Sequence, residues 1–178
     1  LQSQIAARTA QIQMLEDPRE NAGDYPAGTR LLLDPANPLK AGTDGLLGTL
    51  AEQLSAPPEA RRALEAALRP WLDALVVRDA ACAADLLACL LASGKKAPSR
   101  MVAVEGAAPS TAARLPGIPR LQDALRCEPA FRPAAERLLA QVYLVPSQAG
   151  IPRPVPAGCT FVTPDGILVR DDGCCELW

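Results

Sequence analysis

The sequence predicts an α+β fold of mixed α/β type, with two small related subdomains of short sheets and packed helices. Three observations carry this expectation. Short apolar runs alternate with Ala/Leu-rich amphipathic stretches. A helix-then-strand pattern occurs twice, in "PPEARRALEAALRPWLDALVV" and again in "EPAFRPAAERLLAQVYLVP". The end of the chain, "CTFVTPDGILVRDDGCCELW", reads as strand, turn, strand, turn and a last extended piece. The 178 residues suffice for one ordinary domain or for two small subdomains sharing a core.

The elements follow in order. Leu1, Ile5, Arg8, Ile12 and Leu15 have 4-3-4-3 spacing and share one helical stripe. Residues 1–20 therefore form either the end of a coiled-coil arm or a short amphipathic helix packing on its own domain. Pro18, Gly23, Pro26 and Gly28 break regular structure, so residues 21–41 are a connector, with Leu31–Leu33 as a short strand. In "GTDGLLGTLAEQL", Gly42, Gly45 and Gly48 recur at every third residue. That spacing is not the dinucleotide fingerprint; it suits unusual backbone angles or the close approach of another chain.

A helix starts at Pro57 and Pro58, with Glu59 in its first turn and Ser55 as a candidate cap, and ends or kinks at Pro70. Ala74–Val77 is a buried strand. Ala80–Leu91 is a helix with apolar residues nearly all round, which predicts deep burial, and Gly94 ends it. Arg100–Val104 is the next strand. Residues 42–106 thus form a first subdomain, 107–119 a linker and 120–178 a second subdomain. Within the second, a helix over 133–141 leads into a strand over 142–145. "QAGIPRPVPAG" is a loop, and the closing turns fall at Pro164-Asp165-Gly166 and Asp172-Gly173.

The residue inventory excludes most chemistry. The chain has no histidine, so no Ser-His-Asp or Cys-His pair exists. "LASGKKAPS" has the Gly-Lys pair but lacks the earlier glycine and the following hydroxyl of a P-loop. The cysteines, Cys82, Cys89, Cys127, Cys159, Cys174 and Cys175, lack CxxC spacing. Adjacent Cys174 and Cys175 point to opposite faces of a strand and do not easily share one ion. No catalytic residue, metal or cofactor is expected. A net charge of −2 excludes a strongly basic surface, and 3 % aromatic residues are too few for base stacking. Arg61/Arg62, Lys95/Lys96/Arg100, Arg114/Arg120 and Arg132/Arg137 form small basic groups, read as solvated surface or as weak phosphate contacts. No apolar leader or membrane-length stretch occurs. Reduced thiols fit an intracellular setting, and the initial Leu suggests a piece of a longer chain.

Several segments, in their order and spacing, resemble one family. "GTDGLLGTL", "ALEAALRPWLDALVVRDAACAADLLACL", "AERLLAQVYLVPS" and "TPDGILVRDDG" look like the hinge domain of SMC (structural maintenance of chromosomes) proteins, in a divergent bacterial-type form. The resemblance covers about Gly42 to Gly173. It implies a non-catalytic dimerisation hinge of a chromosome segregation and condensation ATPase whose ATPase motifs lie elsewhere in the full protein. It also implies two subdomains related by pseudo-symmetry, two coiled-coil arms on one side, and pairing of the first subdomain of one chain with the second subdomain of an identical or paralogous chain, a homodimer being expected. Gly42, Gly45 and Gly48 match the family's leading glycines. Thr163, Asp165, Gly166 and Gly173 match its closing region near the dimer interface. Weak DNA contact, with Lys95, Lys96 and Arg100 as candidates, and a cytoplasmic, nucleoid-associated location follow from the same resemblance. The sequence departs from the family in having one glycine in "DDGCCELW" and in replacing an expected helix by "PSQAGIPRPVPAG". The competing function is a small-molecule-binding or regulatory α/β domain, which needs a pocket with convergent polar groups. No membrane and no small-molecule substrate are expected for the hinge.

Overall fold

The computed structural model describes residues 25–95, 97–106 and 114–178. The stripe Leu1–Leu15, Lys96 and the first part of the expected linker lie outside the described residues. In chain order the elements are α1 (Ala27–Leu33), β1 (Leu46–Thr49), α2 (Leu50–Gln53), β2 (Leu54–Ser55), α3 (Pro58–Leu68), β3 (Leu75–Val77), α4 (Ala80–Ala92) and β4 (Met101–Ala103). There follow β5 (Arg126–Cys127), α5 (Arg132–Leu138), β6 (Val142–Leu144), β7 (Thr160–Val162), β8 (Ile167–Arg170) and β9 (Cys175–Leu177), with 3₁₀ turns at Arg69–Trp71, Leu121–Ala124, Pro129–Phe131 and Gln148–Gly150. One sheet has the order β1-β3-β4 and another β6-β7-β8-β9, while β2 and β5 pair with each other.

Leu31–Leu33, expected as a strand, is the last turn of α1. Leucine is a strong helix former, and Gly28, Thr29 and Leu32 fall on one buried helical face. Gly28 donates its N–H to the carbonyl of Pro98 at 2.9 Å. A Cβ there would lie 2.6 Å from the carbonyl oxygen of Ala97, so only glycine lets α1 lie this close to the chain leading into β4. The expected strand at 74–77 is β3, and α3 begins and ends near the two proline signals. Ser55 does not cap α3. It belongs to β2, and its hydroxyl donates to the carbonyl of Arg126 across the two-stranded ribbon. Pro58 supplies the preset φ at the first helical position instead.

The internal repeat extends further in space than in sequence. Thr49 N–H donates to the carboxylate of Glu52 at the start of α2, and Arg120 N–H donates to that of Asp123 at the start of the 121–124 turn. Each turn leads to a short strand (β2, β5), a helix (α3, α5) and a buried strand (β3, β6). Each buried strand then pairs in parallel with the next strand of its sheet, β3 with β4 and β6 with β7. β2 and β5 meet antiparallel, Leu54 opposite Cys127 and Ser55 opposite Arg126, where the two copies adjoin.

The helices cross between the halves. Ala60, Ala63, Leu64 and Leu68 of α3 pack with Val142, Val162 and Leu168 of the second sheet, joined by Ala135 of α5. Ala134 of α5 packs against Ala74 and Val102, and Phe131 just before it packs against Val76 of the first sheet. Each sheet is therefore covered partly by a segment from the other half. The opposite face of the first sheet, through Leu75 and Val77, carries Leu86 and Leu90 of α4 and Leu32 of α1. On the second sheet Tyr143 and Phe161 stack with ring centroids 5.5 Å apart, both fully buried. Asp79 caps α4 by accepting from Cys82 N–H at 2.7 Å. The deep burial expected of this helix is not found: only Leu86 and Leu90 are buried, while Leu87 is 41 % and Leu91 81 % exposed.

Candidate dimer interface

A strand edge can join another chain only where its outward peptide groups lack partners. The four outer edges of the two main sheets differ in this respect. At β1, Leu46 N–H donates to the carbonyl of Thr43, Thr49 N–H is held by Glu52, and Gln53 Nε2 donates to the carbonyl of Leu47. At β6, Leu144 N–H donates to the carbonyl of Pro119, and Arg120 bridges Tyr143. Both edges are closed by neighbouring chain.

The edges of β4 and β9 are more open. Leu75 N–H donates to the carbonyl of Arg100 and Val104 N–H to that of Val77, so alternation turns Met101 and Ala103 outward. Arg137 donates to the carbonyls of Ala103 and Val104. The N–H and C=O of Met101 and the N–H of Ala103 are left without partners among the described residues. At β9, Arg170 N–H donates to the carbonyl of Cys174 and Trp178 N–H to that of Gly166, which places Cys175 and Leu177 outward. Both residues are exposed, Leu177 by 72 %.

β9 is held in line by side chains at its end. Glu176 accepts from the Cys174 thiol at 3.1 Å and from Trp178 Nε1 at 2.9 Å, and lies 3.3 Å from Arg170 Nη2. The Cys174 bond, helped by Trp178 and Arg170, holds the Glu176 carboxyl below its ordinary value despite partial desolvation. The same bond raises the Cys174 thiol. The Arg69 guanidinium sits 3.6 Å from the centroid of the Trp178 ring, so the turn after α3 also grips the chain end.

Among the glycines expected at the interface, Gly45, Gly48 and Gly166 are each required by local geometry. Gly42 is exposed with open space around its Cα. Gly45 is buried, and a Cβ on it would lie 2.5 Å from Cys82 Sγ, so its close approach is to α4 of the same chain. Gly48 sits at the β1 irregularity with φ +105°. Thr163 is fully buried and its hydroxyl accepts from Ile167 N–H at 3.1 Å, shaping the turn that exposes Asp165. Gly166 directly precedes β8 and Gly173 lies in the turn between β8 and β9, with φ of +86° and +87°. The structure thus gathers Thr163, Asp165, Gly166 and Gly173 around β8 and β9, and Gly42, Gly45 and Gly48 around β1. Sequence reasoning missed the arginine cap on β4 and the Arg69–Trp178 stack, which link residues far apart in the chain. The apolar terminal pair Leu177-Trp178, after a turn, was the legible signal for β9. Of the basic candidates, Lys95 is exposed, while Arg100 is bound to Asp73 at 3.0 Å and lies over Trp71.

Residues 43–150 match the family described as the SMC proteins flexible hinge domain. The chromosome partition protein Smc of Myxococcus xanthus is 27 % identical over 183 aligned positions, covering 97 % of this chain; the chain spans 15 % of that relative's length. The asymmetric dimer of the Geobacillus stearothermophilus SMC hinge domain superposes with a TM-score of 0.77 at 18 % identity, over 96 % of this chain and 71 % of that one. The Pyrococcus furiosus Smc hinge domain with an extended coiled coil gives 0.70 at 21 % identity, over 99 % and 62 %. These two structures share the fold, and the match over 43–150 places the repeated helix–strand units inside the family's bounds. The chain belongs to the SMC hinge domain family.

Proposed function

We infer that this chain is a dimerisation hinge of a chromosome-partition SMC protein, joining two copies by sheet pairing. The observation that supports this reading most is the distribution of open edges. After internal capping, the outward peptide groups of Cys175 and Leu177 on β9, both groups of Met101 on β4 and the N–H of Ala103 are left to pair among the described residues. A twofold arrangement sets β9 of one copy against β4 of the other, twice, which joins the second half of each chain to the first half of its partner. The turns at Gly166 and Gly173 then act by aligning β9 for this contact. The Geobacillus stearothermophilus hinge, itself an asymmetric dimer, supports association of two copies. Residues 1–20 lead into the hinge as the end of one arm. ATP hydrolysis belongs to other parts of the full protein, in the cytoplasm beside the nucleoid. DNA contact is weak and non-specific and rests on Lys95 and Lys96, with Arg100 held by Asp73.

Light scattering across concentration tests the pairing. The expected mass is twice 18.7 kDa at tens of micromolar. Leu177→Pro removes one outward N–H from β9 and adds a ring at the edge, and is expected to give monomers with an unchanged far-ultraviolet spectrum. A wild-type monomer, or a dimer indifferent to Leu177→Pro, overturns the strand pairing.

A further inference from the structure

α4 leaves an apolar groove open. Its exposed Leu87 and Leu91 lie four residues apart on one helical face, above buried Leu90. With Gly94, Lys95, Ala97 and Pro98 they line a cavity of about 630 Å³. Two leucines exposed side by side invite cover, since burying each is worth roughly 1.5–3 kcal/mol.

The described chain begins at the same end of the first sheet. α4 follows β3 and returns along it, so its last turn lies level with the start of β3 and with the residues before β4. Gly28 N–H is bonded to Pro98, one of the groove's lining residues. Tyr25 donates from its hydroxyl to Thr49, whose strand neighbour is Leu75, at that end as well. Tyr25, where the described residues start, therefore lies at the groove's end of the sheet. The ten residues from Glu16 to Tyr25 can span up to ~33 Å, enough to return a helix end to it. The stripe Leu1, Ile5, Arg8, Ile12, Leu15 ends in an apolar pair three residues apart. The end of α4 from Leu87 to Ala92 is about 8 Å long, room for two apolar side chains such as Ile12 and Leu15.

We propose that the N-terminal segment of this chain docks on its own hinge, with Ile12 and Leu15 seated in the groove formed by Leu87, Leu91, Ala97 and Pro98. The arm is then fixed in direction where it meets the hinge, because its end is held by side-chain packing as well as by the backbone leading into α1. This docking is independent of whether two copies pair.

Hydrogen exchange read by mass spectrometry on the whole 1–178 chain tests it. In the wild type, the peptide spanning residues 8–16 is expected to be protected. Leu87→Ser/Leu91→Ser should speed its exchange by about tenfold or more, as local opening no longer costs the buried leucines. From the other side, Ile12→Ser/Leu15→Ser should speed exchange over 84–95; these positions lie outside the described fold, so this arm survives if the first variant fails to fold. The mass by light scattering should stay that of the parent in both cases. Unprotected exchange at 8–16 in the wild type, or protection indifferent to both variants, overturns the proposal. So does a fall in mass with Leu87→Ser/Leu91→Ser while 8–16 is unaffected, which would assign the groove to a second copy.

Discussion

At Gly166 a positive φ of +86° coincides with crowding, since a Cβ there would lie 2.5 Å from the carbonyl oxygen of Trp178. Gly166→Val has to escape both, and the conformational strain alone costs roughly 1–2 kcal/mol. The expected outcome is a lower denaturation midpoint and a weaker dimer, because Gly166 accepts from Trp178 N–H at the end of β9. A dimer constant unchanged in sedimentation would remove Gly166 from the alignment of that strand. The pair Cys174–Glu176 adds a pH dependence with two signs. Glu176 titrates below its ordinary 4.5 in the folded chain, so its contribution is complete above that value and is lost as pH falls through the depressed one. Cys174 titrates above its ordinary 9.0, so its contribution is complete below 9.0 and is lost as pH rises through the elevated value. The order around Trp178 should therefore hold between about 4.5 and 9 and loosen outside, read from the indole N–H signal by NMR. At pH 8, alkylation should mark exposed Cys175 before half-buried Cys174, with mass spectrometry of the terminal peptide deciding the order.

Among the elements, α4 depends on its first turn. Asp79→Ala removes the acceptor for Cys82 N–H and should lower stability by about 1 kcal/mol, measured by urea unfolding. The strands at 75–77, 142–144, 160–162 and 167–170 were legible because apolar runs stood between turn residues that permit little else. β2 and β5 were not, since two residues show no period and their pairing joins positions about seventy apart. The three leucines of α1 were misread for a related reason: a continuous apolar run fits a strand or a buried helix, and only the packing of Thr29 and Leu32 decides. The exposure of α4 was misjudged because an all-apolar helix advertises burial without saying what covers it. For the candidate interface, the turns around β8 and β9 could be read from Pro164-Asp165-Gly166 and Asp172-Gly173. Which sheet edges stay open could not, because Arg137 and Glu52 close or spare them only after the chain has folded.

For the whole molecule, the crossing of α3 and α5 between the sheets decides how it unfolds. Neither sheet keeps its cover if the other melts, so circular dichroism and tryptophan fluorescence should trace one coincident transition. Two separated transitions would show that the halves stand alone. Ala63 and Ala135 lie fully buried where the crossing segments meet, and Ala63→Leu should destabilise the entire transition by about 1–3 kcal/mol rather than one phase of it. A module threaded in this way has a mechanical property as well. Tension entering through α1 reaches the second sheet through α3 clamped beneath it, so the load is divided over both halves before any strand peels. Such a link resists a steady pull and, once overcome, gives way in a single step.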